Sequence, residues 1–309
     1  MARSFVKWVG GKYQLLDEIN AVIDSMIDKQ DEFIYAEPFV GGGALLFNIL
    51  ENKPNMKMAF INDMNTNLIK CYRTIKDCKT YPVLKETLKK IQKEYNELNS
   101  SESKKDYYMK ARNAYNKNQF TGELSDTDCA AIFIFLNKTS FNGLYRENSK
   151  GEFNVPWNQK ETVNLFDEDN LDRCHNLLKK VVIMNEDYSN LDFVMQTGEA
   201  MDCKVLYYMD PPYRPLEGTN SFVSYTKSGF GDNDQISLKK FCDRIDSCGC
   251  DFILSNSKSG NFFENLYDGY EIDVVGARRN VNSNGEKRGE VDELIIYNKK
   301  KKNISVELF

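Results

Sequence analysis

Val205-Leu206-Tyr207-Tyr208-Met209-Asp210-Pro211-Pro212-Tyr213 decides how this chain folds. Its first five residues are a short apolar run with a β-branched residue and aromatics, which reads as a buried strand. Asp-Pro-Pro-Tyr then sits at the strand's carboxyl end, the edge of an open α/β sheet where ligands bind. A carboxylate and a prolyl carbonyl supply two hydrogen-bond acceptors, paired prolines stiffen the backbone, and the ring offers a stacking face. Two acceptors beside a ring suit a planar amine such as the N6 amino group of adenine. Alone, the tetrapeptide suits a rigid turn equally well.

Upstream, other strand ends carry related chemistry. Phe33-Ile34-Tyr35-Ala36 reads as a strand, followed by Glu37-Pro38-Phe39-Val40-Gly41-Gly42-Gly43 and a helix opening at Ala44-Leu45-Leu46. A dinucleotide fingerprint needs a third glycine where Leu46 stands, so a pyrophosphate turn is excluded and a nucleotide-like ligand without a diphosphate fits better. The strand Met58-Ala59-Phe60-Ile61 ends at Asn62-Asp63, and Asp63 follows Gly43 by 20 residues. An acid at that offset bonds ribose hydroxyls in sheets of this kind. A glycine loop with a ribose acid but no phosphate grip suggests S-adenosylmethionine.

Nearer the N-terminus, Phe5-Val6-Lys7-Trp8-Val9-Gly10-Gly11-Lys12 precedes a helical pattern with Leu15, Leu16, Ile19 and Ile23 on one face. Its glycines let the backbone pass close to a ligand, with Trp8 and Lys12 adding a ring and a charge. A plain N-terminal turn fits the same residues.

From about residue 76 to 174 the alternation of strand and helix stops. Leu84, Leu88, Ile91, Tyr95 and Leu98 recur at helical spacing, and a second polar helix is expected near Tyr107 to Tyr115. Ala130 to Leu136 is apolar throughout and hence buried. Then come Asn137-Lys138-Thr139-Ser140-Phe141-Asn142-Gly143-Leu144-Tyr145-Arg146 and Gly151-Glu152-Phe153-Asn154-Val155-Pro156-Trp157. Aromatics, amides and an arginine in a loop can stack on bases and read their edges, or simply pack on a core. Strands resume with Val181 to Met184, ending in Asn185-Glu186-Asp187-Tyr188, and with Asp251 to Leu254, ending in Ser255-Asn256-Ser257. A hairpin-like region follows. Its Arg278-to-Arg288 segment combines an Asn-Gly turn signal with four basic residues suited to phosphates, and Val291 to Tyr297 closes it. Lys299 to Lys302 reads as a solvated tail or a DNA contact.

Composition narrows the class. The chain has 309 residues, 41% hydrophobic and 28% charged, enough for one large domain or a core domain with an insertion. No apolar run approaches the ~20 residues of a membrane helix, and Met1-Ala2-Arg3-Ser4 lacks a signal peptide's apolar core. A cytoplasmic location is therefore expected. The eight cysteines form no CxxC pair, so free thiols are expected and neither a zinc site nor a disulfide framework. His175, the one histidine, lies in a polar segment away from any turn motif, which leaves Ser-His-Asp and Cys-His chemistry without a placed base. A net charge of −5 does not advertise nucleic acid, though a local patch can carry such contacts.

In order along nearly the whole chain, six blocks resemble the DNA adenine methyltransferase (Dam) family, the N6-adenine-specific D12 class. They are Lys7 to Lys12, Glu37 to Gly43, Phe141 to Arg146, Phe153 to Pro156, Asp210 to Tyr213, and Ser283-Asn284-Gly285 with Val291-Asp292-Glu293-Leu294. Phe141 stands where a tyrosine is common and Trp157 where phenylalanine is frequent, so an aromatic is kept at both.

The resemblance implies an α/β fold: a doubly wound, mostly parallel sheet of the S-adenosylmethionine-dependent methyltransferase type, with an inserted helical target-recognition domain. Residues 1–75 and 175–309 would form the catalytic domain and 76–174 the recognition domain. Asp210, Pro211, Pro212 and Tyr213 would be catalytic. Trp8, Lys12, Glu37, Pro38, Phe39, Gly41, Gly43, Asp63, Asp187, Tyr188 and Asp210 would hold S-adenosyl-L-methionine. Lys7, Phe141, Asn142, Leu144, Arg146, Pro156, Arg278, Asn284 and Arg288 would contact double-stranded DNA. No metal is expected. The implied reaction is methylation of a flipped-out adenine at N6, with GATC as the expected site; another short site, or cytosine N4, is the alternative. A palindrome suits a monomer visiting each strand in turn, and a restriction endonuclease gene alongside would be the genetic partner.

Overall fold

A computed structural model describes residues 1–214, 230–278 and 290–298. Seven strands, β1 (Phe33–Glu37), β2 (Met56–Asn62), β3 (Val181–Met184), β4 (Lys204–Met209), β5 (Asp251–Ser257), β6 (Glu271–Arg278) and β7 (Glu290–Tyr297), make one sheet in the order β3-β2-β1-β4-β5-β7-β6. The first five are parallel, and β7 runs antiparallel between β5 and β6. The mixed α/β class with a mostly parallel sheet is as expected.

The sheet is covered on both faces. Helices α1 (Leu16–Met26), α2 (Ala44–Asn52), α3 (Thr66–Lys76), α4 (Thr80–Glu97), α5 (Ser101–Thr121), α6 (Asp126–Thr139) and α7 (Glu168–Leu178) feed one buried cluster. Helices α8 (Phe193–Met201), α9 (Asp232–Ser247) and α10 (Phe262–Leu266) feed the other. Every residue of β1 is buried: Phe33 and Tyr35 enter the first cluster, Ile34 and Ala36 the second. That is the pattern of a central parallel strand, with consecutive side chains on opposite, equally dry faces. Local signals start the helices. Asn65 caps α3 by accepting from Leu68 N, and Ser100 and Ser125 cap α5 and α6 in the same way.

The direction of winding reverses between the parallel strands β1 and β4. From β1 the chain winds outward through β2 to β3, then returns to β4 and winds the other way to β5. The crevice beyond the carboxyl ends of β1 and β4 is the switch point where such sheets bind ligands. Both the Glu37-to-Gly43 loop and Asp-Pro-Pro-Tyr open into it. Region 76–174 supplies α4, α5 and α6, and its aromatics Tyr95, Tyr108, Tyr115, Phe133 and Phe135 belong to the same buried cluster as the sheet residues Tyr35 and Tyr208. Position 174 falls inside α7, which packs against α2 and α3. The eight cysteines carry thiols, five of them buried. Among the described residues no helix is long and apolar enough to cross a membrane, and no group of three or more His, Cys, Asp or Glu is placed to hold a metal ion.

Candidate active site

The glycine loop after β1 turns tightly because Gly41 and Gly43 adopt φ of 48° and 72°, a region that side chains disfavour. Contacts exclude a side chain too: a Cβ on Gly41 would lie 2.8 Å from the Trp8 ring, and one on Gly43 2.5 Å from Tyr72 Oη. The Asp63 carboxylate accepts Gly41 N at 3.0 Å through one oxygen and Asn65 N at 2.8 Å through the other. Burial lifts its pKa above the usual carboxylate value, while these two N–H groups pull it back. Asn62 staples the neighbouring loops, donating to Pro38 O at 3.1 Å and Glu186 O at 2.9 Å and accepting from Glu186 N at 2.8 Å. Tyr188 and Phe39 face each other at 5.3 Å between ring centroids, forming an aromatic wall. Asp187 caps the following turn by accepting from Ser189 N and Oγ. Glu37 is buried, takes the Tyr35 hydroxyl at 2.8 Å, and is pushed well above the usual carboxylate range by that burial.

Across the crevice, Lys12 reaches over from the N-terminal turn. Its ammonium is 4% exposed and lies 2.8 Å from Asp210 Oδ1, 3.0 Å from Gly10 O and 2.5 Å from Tyr213 Oη. The Tyr213 hydroxyl donates to Glu293 Oε2 at 2.9 Å, and that carboxylate is 3.7 Å from the same ammonium. Burial pushes Asp210 up to about 6; Lys12 opposes this and the Glu293 charge adds to it. The Pro212 carbonyl accepts from buried Gln235 Nε2 at 3.3 Å, and Gln235 Oε1 in turn accepts from Asn256 Nδ2 at 3.4 Å. Beyond Tyr213, Arg214 forks onto Asp232 with contacts of 2.6 and 3.0 Å and donates to Ser259 Oγ at 2.9 Å. The turn is thereby pinned on both sides of the tyrosine.

The loop after α6 forms the second half of the site. Asn137 accepts from Lys7 N and donates to Lys7 O, each at 2.7 Å, and donates to Gly143 O at 3.0 Å. One amide so ties the N-terminal segment to the loop. Phe141 N bonds Pro156 O at 2.9 Å, which sets Phe141 and Pro156, both exposed, side by side. Asn142 is also exposed, in a left-handed conformation, and Leu144 is half-buried. Arg146 Nε donates to Asn154 Oδ1 at 2.7 Å. Trp8 stacks on Tyr145, next to Arg146, at 5.9 Å and 26°, so one indole touches both the glycine loop and the loop after α6. Trp157 turns inward and donates to Tyr95 Oη at 3.0 Å.

The comparisons with known proteins bear on this geometry. Residues 8–281 match the family of D12 class N6 adenine-specific DNA methyltransferases. The chain belongs to this family. Over 96% of its length it is 41% identical to a protein of Methanocaldococcus jannaschii named Type II methyltransferase M.MjaIII, covering 99% of that protein. It is 36% identical to Type II methyltransferase M1.LlaDCHI of Lactococcus lactis subsp. cremoris, over 96% of this chain and 95% of that one. With a Haemophilus influenzae protein named DNA adenine methylase it shares 32% identity over 95% and 92% of the two chains. The enzyme is an adenine-specific DNA methyltransferase, so its substrate is DNA and its reaction needs a methyl donor.

Several groups that meet here carry no signal in the sequence. Glu293, Asn62 and Asn256 lie in strands and Gln235 in α9, and nothing local in the sequence marks the contacts they make. Lys138 and Lys160 are a further pair, with Lys160 Nζ donating to Lys138 O at 3.1 Å. Burial, with Lys7 and Lys160 close by, lowers Lys138 to about 8, and burial and Lys7 lower Lys160 as well. Lys7, Lys138 and Lys160 thus lie close together beside the loop after α6. Lys138 follows the apolar run Ala130 to Leu136 by two residues, and nothing local in the sequence marks its burial. His175 sits elsewhere, stacked on Tyr81 at 4.3 Å with Nδ1 2.6 Å from Ile75 O. Arg278 ends β6, while Asn284, Arg288 and Lys299 to Lys302 lie outside the described residues.

Proposed function

We propose that this methyltransferase takes its methyl group from S-adenosylmethionine and places it on N6 of an adenine flipped out of duplex DNA, with GATC as the target site. The observation that carries the proposal is the Asp210 carboxylate at the switch point, part-buried and raised to about 6, on a turn whose flanks are pinned.

The residues facing the glycine loop suit this cofactor. Asp63 has both oxygens fixed by backbone N–H groups and keeps lone pairs for ribose hydroxyls. Phe39 and Tyr188 offer a face to a flat base, and Gly41 and Gly43 allow a close backbone approach. Trp8, Glu37, Pro38 and Asp187 complete the cofactor set, with Lys12 at its border with Asp210. When bound, S-adenosylmethionine supplies an electrophilic sulfonium methyl group.

The chain's own residues prepare the nucleophile. Tyr213 stacks on the flipped adenine. The Asp210 carboxylate and the Pro211 carbonyl accept the two N6 protons, which draws the nitrogen toward tetrahedral geometry and frees its lone pair. Positive charge developing on nitrogen meets a preorganised carboxylate. At a pKa near 6, Asp210 is also a competent acceptor for the proton that nitrogen must then lose. Pro212 holds the turn through Gln235.

Residues 1–75 and 175–309 serve as the catalytic domain and 76–174 as the recognition domain. Arg146 reads guanine, Leu144 and Pro156 meet a thymine methyl, and Phe141, Asn142 and Lys7 contact neighbouring groups. Arg278, Asn284 and Arg288 complete the DNA contacts. The enzyme acts as a monomer in the cytoplasm, one strand per visit, alongside a restriction endonuclease of matching specificity.

The test is to express the enzyme with a plasmid in a strain lacking adenine methylation. Digestion with a nuclease blocked by methylated GATC should fail, and single-molecule sequencing should place N6-methyladenine there. Complete digestion with N6-methyladenine in another context would refute GATC and leave the chemistry standing.

A further inference from the structure

The proposed chemistry leaves an electrostatic problem at Asp210. A carboxylate paired with an ammonium at 2.8 Å makes a nearly neutral unit, and a neutral unit does little for a nitrogen that becomes cationic. Lys12 is 4% exposed, so water does not dilute the pairing.

The strand topology supplies a second carboxylate. β7 lies antiparallel beside β5 with Glu293 opposite Ser257, at the carboxyl end of the parallel strands. Glu293 is 15% exposed and faces the same ammonium at 3.7 Å. It also accepts the Tyr213 hydroxyl at 2.9 Å, while Lys12 donates to the oxygen of that hydroxyl. Two carboxylates therefore share one ammonium, with the tyrosine hydroxyl as the bridge.

We propose that Glu293 is a positioning residue for methyl transfer: by sharing Lys12 with Asp210 it leaves the Asp210 end of the cluster net negative when the nitrogen turns cationic, and through the Tyr213 hydroxyl it fixes the ring on which the base stacks. The proposal rests on Asp210 and Tyr213 having the roles given above. Glu293 touches neither cofactor nor base and acts through Lys12, Asp210 and Tyr213. The other titratable groups around Asp210 among the described residues are Glu37 and Tyr35 on β1 and Tyr208 on β4, and Glu293 raises Asp210 where Lys12 lowers it.

Glu293→Gln keeps the size and an acceptor for Tyr213 but removes the charge. Single-turnover methyl transfer to a duplex oligonucleotide should slow on the order of 10-fold or more. Cofactor affinity and the KM for DNA should stay within about threefold, since the lost interaction acts on the transition state. The acid limb of the rate should move to lower pH, because the neighbouring charge that raises Asp210 is gone. Glu293→Asp, which keeps the charge, should recover part of the rate. A wild-type rate with an unmoved acid limb in Glu293→Gln would overturn the proposal. So would equal losses in Glu293→Gln and Glu293→Asp that follow the folded fraction seen by circular dichroism, for then the residue serves folding alone. Asp210→Ala is run in parallel: if it still methylates at the wild-type rate, the assignment of Asp210 itself has failed, a result distinct from failure at Glu293.

Discussion

Replacing Asp210 by Asn keeps the size of the side chain and one acceptor while removing its charge, so it isolates what the carboxylate does. Removing one preorganised partner of a developing charge costs on the order of 10²-fold in rate. The titration provides an independent check. With a pKa of about 6, protonated Asp210 predominates below that pH, and kcat/KM for DNA should fall about tenfold for each further pH unit. Unfolding through this group does not explain such a fall. A carboxyl raised in the folded state takes up its proton more readily folded than unfolded, so acidification from pH 6 toward 4 favours the folded form through Asp210. The stability penalty of burying the ionised group is greatest above pH 6. Activity and this contribution to stability therefore move in opposite directions on acidification.

The assay is tritiated methyl transfer to a duplex oligonucleotide from pH 5 to pH 8, with melting followed in the same buffers. Wild type should show the acid limb near pH 6 and Asp210→Asn a low rate without that limb. Glu37, also raised by burial, is the competing source of a limb. An Asp210→Asn protein that is folded and keeps both near-normal turnover and the limb would refute the role given to Asp210.

Asp63→Ala should weaken cofactor binding by roughly 1.5–3 kcal/mol, the worth of a charged acceptor for ribose hydroxyls; calorimetry with unchanged affinity would contradict the assignment. Arg146→Ala should relax discrimination at one base pair by ~1–3 kcal/mol, whereas loss of a mere phosphate contact would weaken binding to all sequences alike and reduce the salt slope by about 1. Binding titrations at several salt concentrations separate the two patterns. Gly198→Ala should destabilise the fold by about 1–3 kcal/mol through overpacking, because its Cβ would lie 2.1 Å from Val205 Cγ2 where α8 crosses β4. A denaturant midpoint equal to wild type would show that the contact relaxes at no cost.

By itself the sequence determined the elements and the chemical types at their ends. The strand before Asp210 is written in a continuous apolar run, the glycine turn after Ala36 in residues that turn the chain locally, and the helix over Leu84 to Tyr95 in a pattern of period 3.6. Six motif blocks in order were enough to point to adenine methylation by resemblance, because each is a short run or a pair of short runs close together in the sequence. Tertiary structure decided which ends meet. Lys12 and Tyr213 are 201 residues apart, and no periodicity announces that the lysine settles on the Asp210 carboxylate. Glu293 joins them only because β7 inserts between β5 and β6 and runs against the parallel strands. Lys138 and Lys160 come together only when the end of α6 folds back beside the loop after Pro156. Local patterns record a residue's own backbone and burial, whereas pairing across the sheet depends on strand order, which depends on the packing of the whole core.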